Sequence, residues 1–135
     1  MVEHSRKYLL DTNVIIQILR GDKDIIKHVY QVGIDNCHIS EITIAELYYG
    51  AVKGKRQSNF DDIDIISETF DIIPVFNSFE KLARIRLYLS SIGKLVDAYD
   101  MMIGATAVNE NLTLVTHNTK HYKNIPDIML EDWQN

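Results

Sequence analysis

Apolar residues fall along this chain in two rhythms, short unbroken runs and longer stretches with spacings of three and four. Tyr8-Leu9-Leu10 is a short run of the kind that suits a strand buried on both faces. Asp11 ends it, and Thr12 and Asn13 can each cap a helix start. Val14, Ile15, Ile16, Ile18 and Leu19 continue as a helix, with Gly21 as its stop. Residues 22–32 repeat the helical rhythm through Ile25, Ile26, Val29 and Tyr30. A turn follows at 33–36, then a short strand at 37–40. A helix is predicted over 41–53 with Gly54 ending it, and another over 58–70, acidic on one side through Asp61, Asp62, Asp64 and Glu68. Residues 71–76 read as a strand whose Pro74 favours a sheet edge or a strand end. Asn77 with Glu80 resembles a capping box for a helix that carries Phe79, Leu82, Ile85, Leu89 and Ile92 and stops at Gly93. Asp97 caps a further helix reaching about residue 110, and residues 112–116 and 127–130 are the last strands.

Strands alternate with helices throughout, which implies parallel βαβ units with helices on both faces of one sheet. No repeat, low-complexity segment or Pro/Gly-rich linker interrupts the pattern, so residues 1–135 read as a single α/β domain. That length can bury a sizeable core. The lone Cys37 cannot form an internal disulfide, which fits a reducing compartment or an inert buried thiol. The first residues, Met-Val-Glu-His-Ser-Arg-Lys, do not resemble a secretory signal, and no apolar run approaches the length of a membrane span. The expected location is the cytoplasm.

Net charge is −5, from 14 Lys and Arg against 19 Asp and Glu, which argues against binding nucleic acid by bulk charge alone. That objection weakens if several acids share one site. Setting aside Asp11, Glu46, Asp97 and Asp100 leaves −1, and a divalent metal among them would reverse the local field. Charge therefore neither supports nor excludes an RNA substrate. Lys53, Lys55 and Arg56 form a small basic cluster, either a solvated face or a phosphate contact.

The four acids stand at informative places. Asp11 lies at the carboxyl end of a strand, where ligands bind in open α/β sheets, although an Asp there is often only a turn residue. Asp100 shares a helical stripe with Ile103, Gly104, Ala107 and Val108, which should face the sheet. A carboxylate on such a stripe is costly unless a cation or donors meet it. The plainer alternative is a third helical residue that complements the helix dipole. Glu46 lies one turn into its helix, just beyond the strand ending at Ser40 and at the same sheet edge as Asp11; serving the dipole is again the alternative. Asp97 is the weakest candidate, because Asp is a common N-cap. Asn118, in Thr116-His117-Asn118 at the end of the 112–116 strand, offers one acceptor and one donor group. Hard divalent cations bind through a few carboxylates and several waters, which such a set can supply. His117 and His121 do not look like a helical metal pair, and a phosphate-binding Gly-rich loop, a nucleophile elbow and paired zinc cysteines are all missing from the sequence.

Four segments in order, Leu9-Leu10-Asp11-Thr12-Asn13, Ser40 to Gly50 with Glu46, Asp100 to Ala107, and Leu114 to Asn118, resemble the PIN-domain family. Within it the likeness is to VapC-type toxins of toxin–antitoxin systems, and Tyr122, Ile125-Pro126 and Leu130-Glu131-Asp132-Trp133 look like that subgroup's ending. The resemblance implies a three-layer α/β/α fold with a central parallel sheet of four to five strands, Mg²⁺ or Mn²⁺ dependence and RNA cleavage. It also implies a homodimer and a cognate VapB-type antitoxin. By motif, Asp11, Glu46 and Asp100 match the acidic, metal-binding site, with Asp11 and Asp100 the first choices as direct ligands. Asp97 falls where many members carry an additional acid. Asn118 departs from the Asp many members have there; it can still hold a metal-bound water or orient Asp11. The resulting expectation is an endoribonuclease in which a metal-activated water, positioned or deprotonated by Glu46 or Asp97, leaves a 5′-phosphate and a 3′-hydroxyl. Transfer RNA is a candidate target and messenger RNA stays open. The rival is a non-catalytic α/β module that binds protein or nucleic acid. Ile63, Ile65, Ile66 and Phe70, with the apolar residues of the first two helices, are expected to line a groove for an amphipathic segment of the partner.

Overall fold

The computed structural model describes residues 6–134. The start of the chain, on which the absence of a secretory signal was read, lies mostly outside them. In order, the elements are β1 (Tyr8–Leu10), α1 (Thr12–Leu19), α2 (Lys23–Val32), β2 (Cys37–Ser40), α3 (Glu41–Gly54), α4 (Gln57–Thr69), β3 (Asp71–Ile73), α5 (Phe79–Ser91), α6 (Ala98–Asn109), β4 (Thr113–Val115), α7 (Thr119–Tyr122) and β5 (Met129–Glu131). Single 3-10 turns occupy Ile34–Asn36 and Phe76–Ser78.

The five strands form one parallel sheet in the order β3-β2-β1-β4-β5. β1 is therefore central, paired with β2 through Tyr8↔Cys37 and with β4 through Leu10↔Val115. Its three residues are all buried, as an unbroken apolar run in a two-sided sheet requires. The chain moves outward from β1 to β3, then returns to the other side of β1 for β4 and β5. The direction of winding thus reverses between β1 and β4, the place where open α/β sheets form a crevice beyond their strand ends. Leu10, Ile39 and Val115 pack on one face with α1, α2 and α4; Leu9 and Leu114 pack on the other with α5, α6, Tyr122 and Ile125. α3 serves both layers, with Ile42 against the second cluster and Ile44 and Leu47 against the first. The expected α/β/α sandwich, at the five-strand end of its range, is what forms.

Several local expectations are corrected. The strand expected over 71–76 stops at Ile73, because Pro74 has no N–H and the Val75 N–H donates to Glu41 Oε1 at 2.8 Å rather than to a ladder. The capping box at Asn77 and Glu80 does not form: a 3-10 turn takes Phe76–Ser78, and α5 begins at Phe79 without a side-chain cap. α1 is capped by Asp11 rather than by Thr12 or Asn13. Gly54 is the last helical residue of α3, and Lys55 makes the left-handed turn at φ 58°. β5 starts at Met129, since Asp127 sits at φ 65°, outside strand geometry. α7 was not anticipated.

Cys37 is buried, its thiol donates to the Gly33 carbonyl at 3.6 Å, and burial pushes its pKa up to about 11. It is the inert thiol of the two readings. Among the described residues, no helix is long and apolar enough to cross a membrane.

Candidate active site

The site is assembled where β1 and β4 end. The Asp11 N–H extends the β1–β4 ladder by one bond, to the Val115 carbonyl at 2.9 Å, and the chain then turns into α1. That placement buries Asp11 to 5% exposure and aims its carboxylate over the strand ends. Oδ1 accepts the Thr12 N–H at 2.8 Å, which makes Asp11 the cap of α1. Oδ2 accepts two hydroxyls, Thr116 Oγ1 at 2.8 Å from the end of β4 and Tyr122 OH at 3.0 Å from α7. Thr116 Oγ1 in turn accepts the Asn118 N–H at 3.0 Å.

Asp100 enters from the first turn of α6. Asp97 caps that helix through Oδ2, which accepts the N–H groups of Tyr99 and Asp100 at 3.0 and 3.4 Å. The Tyr122 hydroxyl lies 3.2 Å from Asp100 Oδ1, so a single phenol stands between two carboxylates. His121 Nδ1 lies 3.5 Å from Asp100 Oδ2. Glu46 approaches from α3. Its Oε1 accepts Thr12 Oγ1 at 2.7 Å, and Thr12 Oγ1 is also 2.9 Å from Thr43 Oγ1. Thr12 has one hydroxyl proton and gives it to Glu46, so Thr43 is the donor in the second contact.

The electrostatics follow from crowding acids into little water. Burial raises the pKa of Asp11, the bonds from Thr116, Thr12 and Tyr122 oppose the rise, and Asp100 adds to it. Burial also raises Glu46; its Thr12 bond lowers it, while Asp11, Asp100 and Asp97 push it up. Tyr122 is raised by burial first and by the two neighbouring aspartates next, so the phenol keeps its proton and acts as a donor. Among the described residues, no Lys or Arg forms an ion pair with Asp11, Glu46, Asp97 or Asp100.

The structure thus brings Asp11, Asp100, Glu46 and Asp97 to one end of the sheet. Asn118 joins through its backbone, while its side chain is exposed. His117 pairs with Asp132 at 3.3 Å, and His121 lies beside Asp100. Sequence reasoning missed Thr12, Thr116 and His121 as contacts of the acids and Thr43 as the partner of Thr12, and gave Tyr122 no role beyond the resemblance. Thr12 and Thr43 had a signal, since both sit one helical turn or less from strand ends that carry candidate acids. Tyr122 had none, because a four-residue helix has no periodicity to read.

Residues 8–126 match the PIN domain. The chain belongs to the PIN domain family. Of the PIN-domain relatives, Ribonuclease VapC2 of Rickettsia felis is 32% identical over 130 residues, a match that spans 93% of this chain and 97% of that protein. The tRNA(fMet)-specific endonuclease VapC of Salmonella typhimurium is 30% identical over 131 residues, spanning 94% and 98% of the two chains. The crystal structure of VapBC2 from Rickettsia felis bound to a DNA fragment from their promoter superposes with a TM-score of 0.88 at 30% identity, covering 94% of this chain and 98% of that one. The three-layer PIN-domain architecture and the VapC likeness expected from the motifs are therefore found.

Proposed function

We propose that this chain is a metal-dependent endoribonuclease, the toxin of a toxin–antitoxin pair. The observation that carries the reading is the Asp11–Asp100 couple, two carboxylates facing one phenol, with no Lys or Arg paired to either among the described residues and only the His121 imidazole, 3.5 Å from Asp100, beside them. A site built of like charges suits a hard cation. Among the described residues no three metal-binding side chains form a ready cage. Mg²⁺ is commonly bound through one or two carboxylates and keeps several waters, so the proposed ion needs no such cage. Asp11 and Asp100 would hold the ion, with Glu46 the third candidate. Bound there, it supplies Lewis acidity toward water and toward the phosphodiester oxygens.

The protein's own groups divide the remaining work. Glu46 has one oxygen held by Thr12 and the other without a protein donor among the described residues; its raised pKa suits a general base that takes a proton from water. Asp97 spends its carboxylate on the N–H groups that start α6, so it positions Asp100. Attack by water on phosphorus leaves a 5′-phosphate and a 3′-hydroxyl. Tyr99 lies beside Asp100 on α6 and Tyr49 one turn beyond Glu46 on α3; they are 50% and 71% exposed and suit stacking of unpaired bases. Lys53 continues the Glu46–Tyr49 stripe by another turn, and Lys55 and Arg56 follow as exposed cations for phosphates. The name of the Salmonella relative makes transfer RNA the first substrate to try.

Restraint of such an enzyme in the cytoplasm falls to a VapB-type antitoxin. A groove of about 250 Å³ between α1, α2 and α4, lined by Ile18, Leu19, Ile26, Tyr30, Ile65 and Phe70, suits the apolar face of an amphipathic segment. Ile63, expected to line it, is buried elsewhere. An Arg carried by that segment would pair with the acids and keep the cation out. For the homodimer, an apolar groove of about 660 Å³ between α5 and α6, with exposed Phe79, Leu87 and Leu95, is the surface we assign to a second copy; sedimentation of Leu87→Glu against the native chain tests it.

The deciding experiment incubates the purified chain with transfer RNA in Mn²⁺, in EDTA, and as Asp11→Asn. Metal-dependent endonucleolytic cuts lost in the variant support the reading. No cleavage under any condition, with no heat stabilisation by Mn²⁺, returns the chain to the rival class of non-catalytic binding modules.

A further inference from the structure

Lone-pair counting at Asp11 exposes a role for Tyr122. A carboxylate has about four acceptor sites, two on each oxygen. Oδ2 of Asp11 is filled by Thr116 and Tyr122, at 2.8 and 3.0 Å, while Oδ1 takes only the Thr12 N–H at 2.8 Å. The open site of this buried carboxylate is therefore on Oδ1. Asp100 is differently placed: Tyr122 occupies part of Oδ1, the imidazole of His121 is 3.5 Å from Oδ2, and most of its acceptor capacity is free. Tyr122 is the one side chain within hydrogen-bond reach of both acids among the described residues, its single proton shared in a three-centre bond between Asp11 Oδ2 at 3.0 Å and Asp100 Oδ1 at 3.2 Å. Its ring is 1% exposed, and it packs on the helix face of α6 where Gly104 stands, 3.4 Å from where a Cβ at that position would lie. The phenol therefore cannot swing away without disturbing the α6 contact, and its oxygen is held at a set place between the carboxylates.

We propose that Tyr122 is a positioning residue whose hydroxyl ties Asp11 Oδ2 to Asp100 Oδ1 and so presents Asp11 Oδ1 and Asp100 to a divalent cation. The proposal rests on the metal-dependent reading above. It assigns the hydroxyl no contact with RNA and no proton transfer. It predicts that the oxygen atom of Tyr122, and not its ring, governs metal capture. Groups that hydrogen-bond metal ligands from outside commonly set affinity by about 10- to 100-fold.

The test is calorimetric titration of Mn²⁺ into the purified full chain, its Tyr122→Phe variant and its Thr116→Val variant, with melting curves recorded without metal. Tyr122→Phe keeps the ring, so the metal-free melting temperature should stay within a few degrees of the native value. Its Mn²⁺ affinity should fall about tenfold. The smaller loss should come from Thr116→Val, because Thr116 reaches Asp11 alone. In cleavage assays, Tyr122→Phe should need more Mn²⁺ for half-maximal rate, regain most of its kcat at saturating Mn²⁺, and keep its KM for RNA. Unchanged or tighter Mn²⁺ binding in Tyr122→Phe would overturn the proposal, as would a raised KM with native metal affinity. If the native chain binds Mn²⁺ and Asp11→Asn does not, the metal reading stands whatever Tyr122→Phe does. A native chain that binds no Mn²⁺ overturns both.

Discussion

Asp11 and Glu46 stand at the same end of one sheet, and the chain treats them in opposite ways. Asp11 is buried to 5% exposure and receives three hydrogen bonds, one from the backbone and two from hydroxyls. Glu46 is partly exposed, receives one bond from Thr12, and has a second oxygen without a protein donor among the described residues. Burial raises the pKa of both, but only Glu46 is also pushed up by three other carboxylates, those of Asp11, Asp100 and Asp97. The difference teaches that the number of donors around an acid, more than its type, separates a carboxylate held in place, the proposed ligand, from one with a free oxygen, the proposed base.

The largest expected effect comes from destroying the anchored side. Asp11→Asn and Asp100→Asn should each lose detectable cleavage and lose the rise in melting temperature that Mn²⁺ gives, since a ligand that binds only the folded state stabilises it. Without metal, both variants should fold, and relief of like-charge repulsion favours them. Cleavage at the native rate by either purified variant would remove its proposed role. Glu46→Gln probes the other side. A general base is worth about 10²- to 10⁴-fold, so kcat should fall by about 10² or more while Mn²⁺ affinity changes far less. Equal losses of kcat and affinity would make Glu46 a ligand like Asp11 and erase the contrast.

A pH titration of the metal-free protein gives a smaller signal with a defined sign. A raised carboxyl pKa means that the folded state binds the proton more tightly than the unfolded state does. Stability contributed by this group is then lost as pH rises from the ordinary carboxylate range through the folded pKa, and recovered on acidification. Asp11→Asn removes the effect. The melting temperature of the variant minus that of the native chain should therefore be greatest near pH 7 and shrink by a few degrees toward pH 4. A gap that widens on acidification would contradict the sign of the shift. The smallest change is expected from Asn118→Asp. The side chain there is exposed and without a protein partner among the described residues, so an added carboxylate should tighten Mn²⁺ binding by a few-fold and leave cleavage intact. Weakened binding would instead make the Asn118 amide an orienting donor.

Much of this arrangement is legible in the sequence, for a physical reason. A strand, an Asp and a capped helix are contiguous, so Tyr8 to Leu19 carries its own instructions, and Asp97 with Asp100 does the same at the start of α6. Glycine stops at Gly21 and Gly93 read correctly because each adopts a positive φ that other residues avoid. What stayed hidden depends on partners far away in sequence. The 71–76 strand was shortened by Glu41, which competes for the Val75 N–H from 34 residues upstream. Asn77 lost its expected cap to a 3-10 turn, and its carbonyl accepts from Asn109 on α6 at 3.3 Å. Tyr122 reads from the sequence as one more apolar residue near the end of the chain; its meaning lies in two aspartates brought to it by the parallel β1–β4 pairing.

That pairing also sets a clock on the ribosome. The hydroxyls that orient Asp11 come from residues 105 and 111 positions later in the chain. Translation proceeds at roughly 5–20 residues per second, so Asp11 and Glu46 emerge on the order of ten seconds before Thr116 and Tyr122 are made. Through that interval the nascent polypeptide has its first acids but no β4 to dock against β1 and no second carboxylate joined to the first. The hydrogen-bond set around Asp11 is therefore completed only by the last fifth of the sequence.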